Sequence, residues 1–134
     1  MDDKRNMLLD GGARRTWKAK CQDAFRGAKR AARGEANFAV HLFFAAIVIA
    51  GAAALELGIV EWCLLILCIS AVLSAEMFNT ALEWLAKSIT SEHDPRVGTA
   101  LDIASAAVLI AAFGATLVGM TIFLHGLGGL IGWW

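Results

Sequence analysis

Ser74-Ala75-Glu76-Met77-Phe78-Asn79-Thr80-Ala81-Leu82-Glu83-Trp84-Leu85-Ala86-Lys87 runs directly on from an apolar stretch, Trp62 to Ala75, that holds no charged residue. As one helix it sets Glu76, Asn79, Thr80, Glu83 and Lys87 at i, i+3, i+4, i+7 and i+11, along a single face. Two carboxylates and an amide on a helix emerging from lipid are costly unless they face protein, water or a metal. An ionisable group at that depth marks a candidate functional site.

The rest of the composition agrees with a membrane setting. The chain has 134 residues, enough for one domain, and is 58% hydrophobic against 18% charged, a balance unlike that of a soluble protein. Net charge is zero but unevenly distributed: ten of the twelve Lys and Arg lie at or before Arg33, leaving Lys87 and Arg96 beyond it. Cys21, Cys63 and Cys68 are odd in number and lack metal-ligand spacing, so neither a disulfide framework nor a zinc site is indicated. The polar N-terminus precedes any apolar run by more than thirty residues, which argues against a cleaved signal peptide.

Working outward, the pattern predicts an all-α integral membrane protein with an N-terminal amphipathic surface helix and three transmembrane helices. Residues 1–13 are polar and read as a flexible tail. From 14 to 33, Trp17, Cys21, Ala24, Phe25, Ala28, Ala31 and Ala32 recur at helical intervals among Lys18, Arg26, Lys29, Arg30 and Arg33. A basic helix with aromatics on a thin apolar face suits an anionic bilayer surface. A nucleic-acid arm is the other reading, and the membrane segments that follow favour the surface helix, with no nucleic-acid partner expected. Spans are expected at about 36–57, 60–88 and 99–124, followed by a C-terminal tail over 125–134. Ala36 to Leu55 alone gives twenty uncharged residues, matching the ~20 needed to cross the hydrocarbon. Glu56, Gly58 and Glu61 form the turn to span two, and Ile89 to Gly98 a polar loop in which Pro95 disfavours helix at Asp94. Trp133-Trp134 suits an interfacial anchor.

The positive-inside rule then puts the N-terminus and the Ile89–Gly98 loop in the cytoplasm, with Glu35, Glu83, Lys87, Asp94 and Asp102 at that surface. Glu35 opens span one, Glu76 and Glu83 sit on span two, and Asp102 opens span three. Clustered oxygen ligands suit Mg²⁺ with phosphate oxygens, the arrangement used in phosphoryl transfer. A set of interhelical hydrogen bonds holding a bundle explains the same residues as simply.

Other chemistries find little support. No Gly-x-x-x-x-Gly-Lys-[Ser/Thr] or Gly-x-Gly-x-x-Gly occurs, so a P-loop or Rossmann cradle is excluded. His41 reads as a polar filler within the bundle and His125 as a solvated residue near the outer end. A channel needs acids through the full membrane depth, whereas these spans carry none in their outer halves beyond Glu56 and Glu61 at the turn.

Glu76 to Glu83 resembles the signature Glu-x-x-Asn-[Ser/Thr]-Ala-[Ile/Leu]-Glu of the small prokaryotic integral-membrane diacylglycerol kinase and undecaprenol kinase family. Phe25-Arg26-Gly27 with Lys29 is similar to that family's surface-helix segment, and Gly34-Glu35-Ala36-Asn37-Phe38 to its entry into span one. Ser91-Glu92-His93-Asp94-Pro95 resembles its polar loop, and Asp102-Ile103-Ala104-Ser105-Ala106-Ala107-Val108 its start of span three. Order and spacing agree from about Phe25 to Leu109.

The resemblance implies a homotrimer in a prokaryotic cytoplasmic (inner) membrane, with active sites between subunits. It implies Mg²⁺- and ATP-dependent phosphorylation of a lipid hydroxyl, diacylglycerol to phosphatidic acid, with undecaprenol as the alternative acceptor. By position, Glu76 is the implied general base, supported by Asn79, while Glu35 and Glu83 hold Mg²⁺ on the phosphates of ATP. Glu92, His93, Asp94 and Asp102 line the nucleotide site, and Arg26, Asn37, Phe38 and Ser105 the lipid path. Two departures stand out. The family usually has Lys-Asp where this chain has Leu101-Asp102, and Asp where this chain has Lys87. We read a relocation, in which Lys87, one turn beyond Glu83, reaches the phosphates in place of the missing lysine. A catalytically impaired relative or a non-enzymatic bundle is the alternative.

Overall fold

The computed structural model describes residues 16–34, 36–89 and 94–133. It contains four α-helices: α1 (Trp17–Gly34), α2 (Ala36–Ala54), α3 (Ile59–Ile89) and α4 (Pro95–Leu130). The chain divides into two compact units, Met1–Arg30 and Ala31–Trp134.

In the first unit, the Thr16 hydroxyl accepts from the Ala19 N–H at 3.3 Å, the N-cap that satisfies a free donor of the first turn. That cap starts the helix at Trp17, three residues after its expected beginning. Trp17, Cys21 and Phe25 follow at four-residue spacing and all three are exposed, with Lys20 over the Trp17 ring. An exposed apolar strip beside basic residues is the surface that an interfacial helix presents.

The second unit holds three helices long and apolar enough to cross a membrane. At ~1.5 Å per residue, α3 and α4 reach about 46 and about 54 Å, well beyond a ~30 Å hydrocarbon core. Their ends therefore project past the lipid. The most apolar window of each helix is 17%, 17% and 11% buried, so these helices turn most of their apolar side chains outward. α3 packs along α4 more extensively than against α2. Ala52, Leu65 and Ile122 form the buried cluster, with Val48, Leu57, Trp62, Val118 and Phe123 around it.

Two helix C-termini differ from expectation by several residues, for one local reason. α2 stops at Ala54 rather than 57 because Glu56 adopts φ 49°. Glu56 N–H then bonds Ala53 O and Leu57 N–H bonds Ala52 O, both at 3.2 Å, while Leu57 packs on the core that holds Ala52. This is the Schellman arrangement, which satisfies carbonyls a helix end leaves free. α4 ends the same way. Gly132 at φ 71° bonds Gly129 O at 3.3 Å, and Trp133 N–H bonds Gly128 O at 2.9 Å. The helix therefore continues six residues beyond the expected end at 124, through part of the expected tail. Glycines disfavour helix in water, but apolar surroundings require each N–H and C=O to be bonded internally, and helix does that. At its other end α4 begins at Pro95, four residues earlier than expected, with Asp94 as N-cap and Pro at its preferred first position.

One close approach ties α2 to α4. A Cβ on Gly51 would stand 2.9 Å from Cε1 of Phe123, closer than real side chains approach. Glycine is what lets that ring lie against the helix backbone.

Candidate functional site

At the end of the bundle away from the apolar cluster, the three long helices supply polar side chains to one cavity. The start of α2 gives Asn37, Val40 and His41; α3 gives Glu76 and Asn79; α4 gives Ser105 and Val108. The cavity is open on one side and has a volume of about 190 Å³. Helical spacing explains the set: Asn37 and His41 lie one turn apart, as do Glu76 and Asn79.

Glu76 is 3% exposed, and Asn79 and Thr80 are 5% exposed. Among the described residues no side chain donates to the Glu76 carboxylate. An unpaired carboxylate is costly in apolar surroundings, and at the cavity wall it is open to water or a ligand. Asn79 is engaged at both ends of its amide. Its Nδ2 donates to Glu83 Oε1 at 3.1 Å, and its Oδ1 accepts from the Ser105 hydroxyl at 3.5 Å. The amide thus links α3 to α4 and holds the Glu83 side chain. Glu83 Oε2 lies 3.8 Å from Nζ of Lys87, whose side chain is 68% exposed. Burial therefore falls steadily along the stripe, from Glu76 through half-buried Glu83 to exposed Lys87.

The other expected site residues divide into four groups. Glu35, Glu92 and His93 lie outside the described residues. Asp94 and Asp102 are exposed, and Asp94 caps α4 by accepting from the Arg96 N–H at 2.8 Å. Arg26 belongs to the first unit and pairs with Asp23 on its own helix. Asn37 and Ser105 both line the cavity, whereas Phe38 is 6% exposed and is not among the lining residues. Leu101, where the resemblance expects lysine, is half-buried.

Sequence reasoning gave no site role to His41, Val40, Val108 or Thr80. The signal for His41 was present: it lies four residues after Asn37 and so shares its helix face. The Thr80 hydroxyl is buried without a partner among the described residues, and nothing in the sequence marks it as different from a threonine bonded to its own helix.

The donor set can accept protons and bind a hard cation. Among the described residues no three His, Cys, Asp or Glu side chains gather as a metal cluster. Mg²⁺ bound with phosphates needs only one or two carboxylates, and Glu83 offers oxygen donors of the right kind.

The family described as prokaryotic diacylglycerol kinase matches residues 22–123. An undecaprenol kinase from Bacillus subtilis (strain 168) is 38% identical over 101 residues, which covers 75% of this chain and 82% of the relative. No solved structure matches significantly.

Proposed function

The chain belongs to the prokaryotic diacylglycerol kinase family, and on that premise we propose that it transfers the γ-phosphoryl group of ATP to the hydroxyl of a membrane lipid. The observation that carries this reading is Glu76, a 3% exposed residue that lines a polar cavity between apolar helices and whose carboxylate has no donor among the described residues. In the proposed step, Glu76 takes the proton of the lipid hydroxyl. The freed oxygen forms a bond to the γ-phosphorus, the bond from that phosphorus to the bridging oxygen breaks, and ADP leaves. A positioned base of this kind contributes roughly 10²- to 10⁴-fold.

Glu83 would hold Mg²⁺ together with Glu35, and the ion would neutralise charge developing on the phosphates. Asn79, whose Nδ2 donates to Glu83 Oε1, would hold that metal ligand in place. Asp102, Asp94, Glu92 and His93 belong to the nucleotide side in this reading, and Arg26 to the lipid side. Assembly as a homotrimer and a cytoplasmic N-terminus complete the proposal; largely outward-facing apolar helices are compatible with both lipid and neighbouring copies.

Two acceptors are carried. Diacylglycerol follows from the family as a whole, and undecaprenol has at least equal support from the 38% identical relative. A mixed-micelle assay with γ-labelled ATP, run with diacylglycerol, with undecaprenol and without lipid, separates them. Chelating Mg²⁺ is expected to abolish transfer. Glu76→Gln, an isosteric amide that cannot take the proton, is expected to lower kcat by about 10²-fold or more. Unchanged phosphorylation by Glu76→Gln would remove Glu76 from the base role.

A further inference from the structure

The polar cavity does not stand alone. A larger groove of about 510 Å³ runs along the same three helices, lined by Phe44, Val48, Leu65, Met120 and Phe123 among other mostly apolar side chains. Two residues line both spaces, Val40 and His41. His41, with Val40, thus stands where the space holding Glu76 meets the apolar groove. Thr116, another polar residue of the groove, already donates to its own helix at Ala112 O, 2.8 Å away. The half-buried His41 ring has no partner among the described residues.

The two chambers differ in what they can hold. A nucleotide cannot enter the apolar groove without stripping water from its phosphates, and a hydrocarbon chain gains nothing in the polar one. A molecule with one small polar end and a long apolar body matches both at once. Its polar end would lie in the cavity, and its body would run past His41 into the groove.

We propose that His41 is the acceptor-positioning residue, whose imidazole N–H donates to the oxygen of the lipid hydroxyl while Glu76 receives that hydroxyl's proton. This rests on the lipid-kinase reading and deepens it. A hydroxyl held through one lone pair and its proton keeps its second lone pair free for the phosphorus. A neutral imidazole suits the task, because it offers an N–H without placing a cation beside the base. Since the contact is to the acceptor and not to ATP, its loss falls on one substrate.

Kinetics in mixed micelles test the assignment. His41→Leu is expected to raise the lipid KM at least tenfold, with the KM for ATP unchanged within twofold. His41→Gln, which restores an N–H donor at similar reach, is expected to recover most of that loss. A second measurement needs no variant: diethyl pyrocarbonate modification, mapped by peptide mass, is expected to be slowed at His41 by the lipid alcohol and not by a non-hydrolysable ATP analogue, with His125 unaffected by either. An unchanged lipid KM in His41→Leu, equal rises in both KM values, or His41 labelling indifferent to lipid would overturn the assignment while leaving the kinase reading intact. Absence of transfer to either lipid by the unaltered chain would overturn both.

Discussion

Asn79 donates from Nδ2 to Glu83 Oε1 at 3.1 Å, one turn along α3, while its Oδ1 receives the Ser105 hydroxyl from α4 at 3.5 Å. One amide therefore fixes a proposed metal ligand and joins two helices. Asn79→Ala removes both bonds. Interhelical hydrogen bonds within membranes contribute about 0.6 kcal/mol on average, so the loss of fold stability is expected to be small. Transfer is expected to fall more, by about tenfold or greater, because a loosened Glu83 no longer meets the phosphates in one geometry. Unfolding curves and kcat measured on the same preparation check this. A large stability loss with kcat unchanged would make Asn79 a bundle residue only.

Glu56 gives a prediction of opposite sign. It holds φ 49° at the end of α2, where a side chain bearing Cβ is strained by roughly 1–2 kcal/mol. Its backbone is the donor the turn requires, and its exposed side chain has no hydrogen bond or ion pair among the described residues. Glu56→Gly is expected to stabilise the protein by about 1 kcal/mol after glycine's added unfolded-state freedom is counted. Thermal or denaturant unfolding in a fixed detergent would read it. Destabilisation would show that the Glu56 side chain has a role beyond the turn.

Gly51 lies against the Phe123 ring beside the cluster of Ala52, Leu65 and Ile122. Gly51→Val forces that ring away from α2, and overpacking of this kind costs about 1–3 kcal/mol. Lower stability is expected, with the ATP KM close to normal in the molecules that remain folded, since the polar cavity lies at the other end of the bundle; the lipid KM is expected to shift, because Phe123 lines the apolar groove. A shift in the ATP KM would mean that the two ends are coupled.

These residues also show how far the sequence could be read. The three apolar helices and the stripe from Glu76 to Lys87 follow from hydropathy and period, because membrane spans leave backbone few alternatives to helix. Helix ends are less legible. Their position depended on which residue took a left-handed turn, and a glutamate at position 56 gives no sign of it. Continuation of α4 through Gly126, Gly128 and Gly129 reverses their usual meaning as breakers for the same reason that the spans are helical. Within the site, carboxylates announce themselves by their cost in lipid, whereas His41 is half-buried and affordable as filler. Its position between two cavities emerges only when three helices are assembled.

Lys87 remains the residue whose role departs most from the family pattern. Its Nζ lies 3.8 Å from Glu83 Oε2, and at 68% exposure the pair is worth no more than about 1 kcal/mol to the fold. Lys87→Ala is therefore expected to leave unfolding almost unchanged. If the ammonium leaves Glu83 to meet the phosphates of ATP, the same substitution removes a charge-assisted contact worth about 1.5–3 kcal/mol. That corresponds to a rise of roughly ten- to a hundredfold in the KM for ATP, with the lipid KM unaffected. Lys87→Arg, which keeps the charge, should recover part of it. Leu101→Lys in the Lys87→Ala background provides the reciprocal check, returning a cation to the position where the family usually has one. Full activity in Lys87→Ala alone would sink the relocation and leave Lys87 as a solvated partner of Glu83.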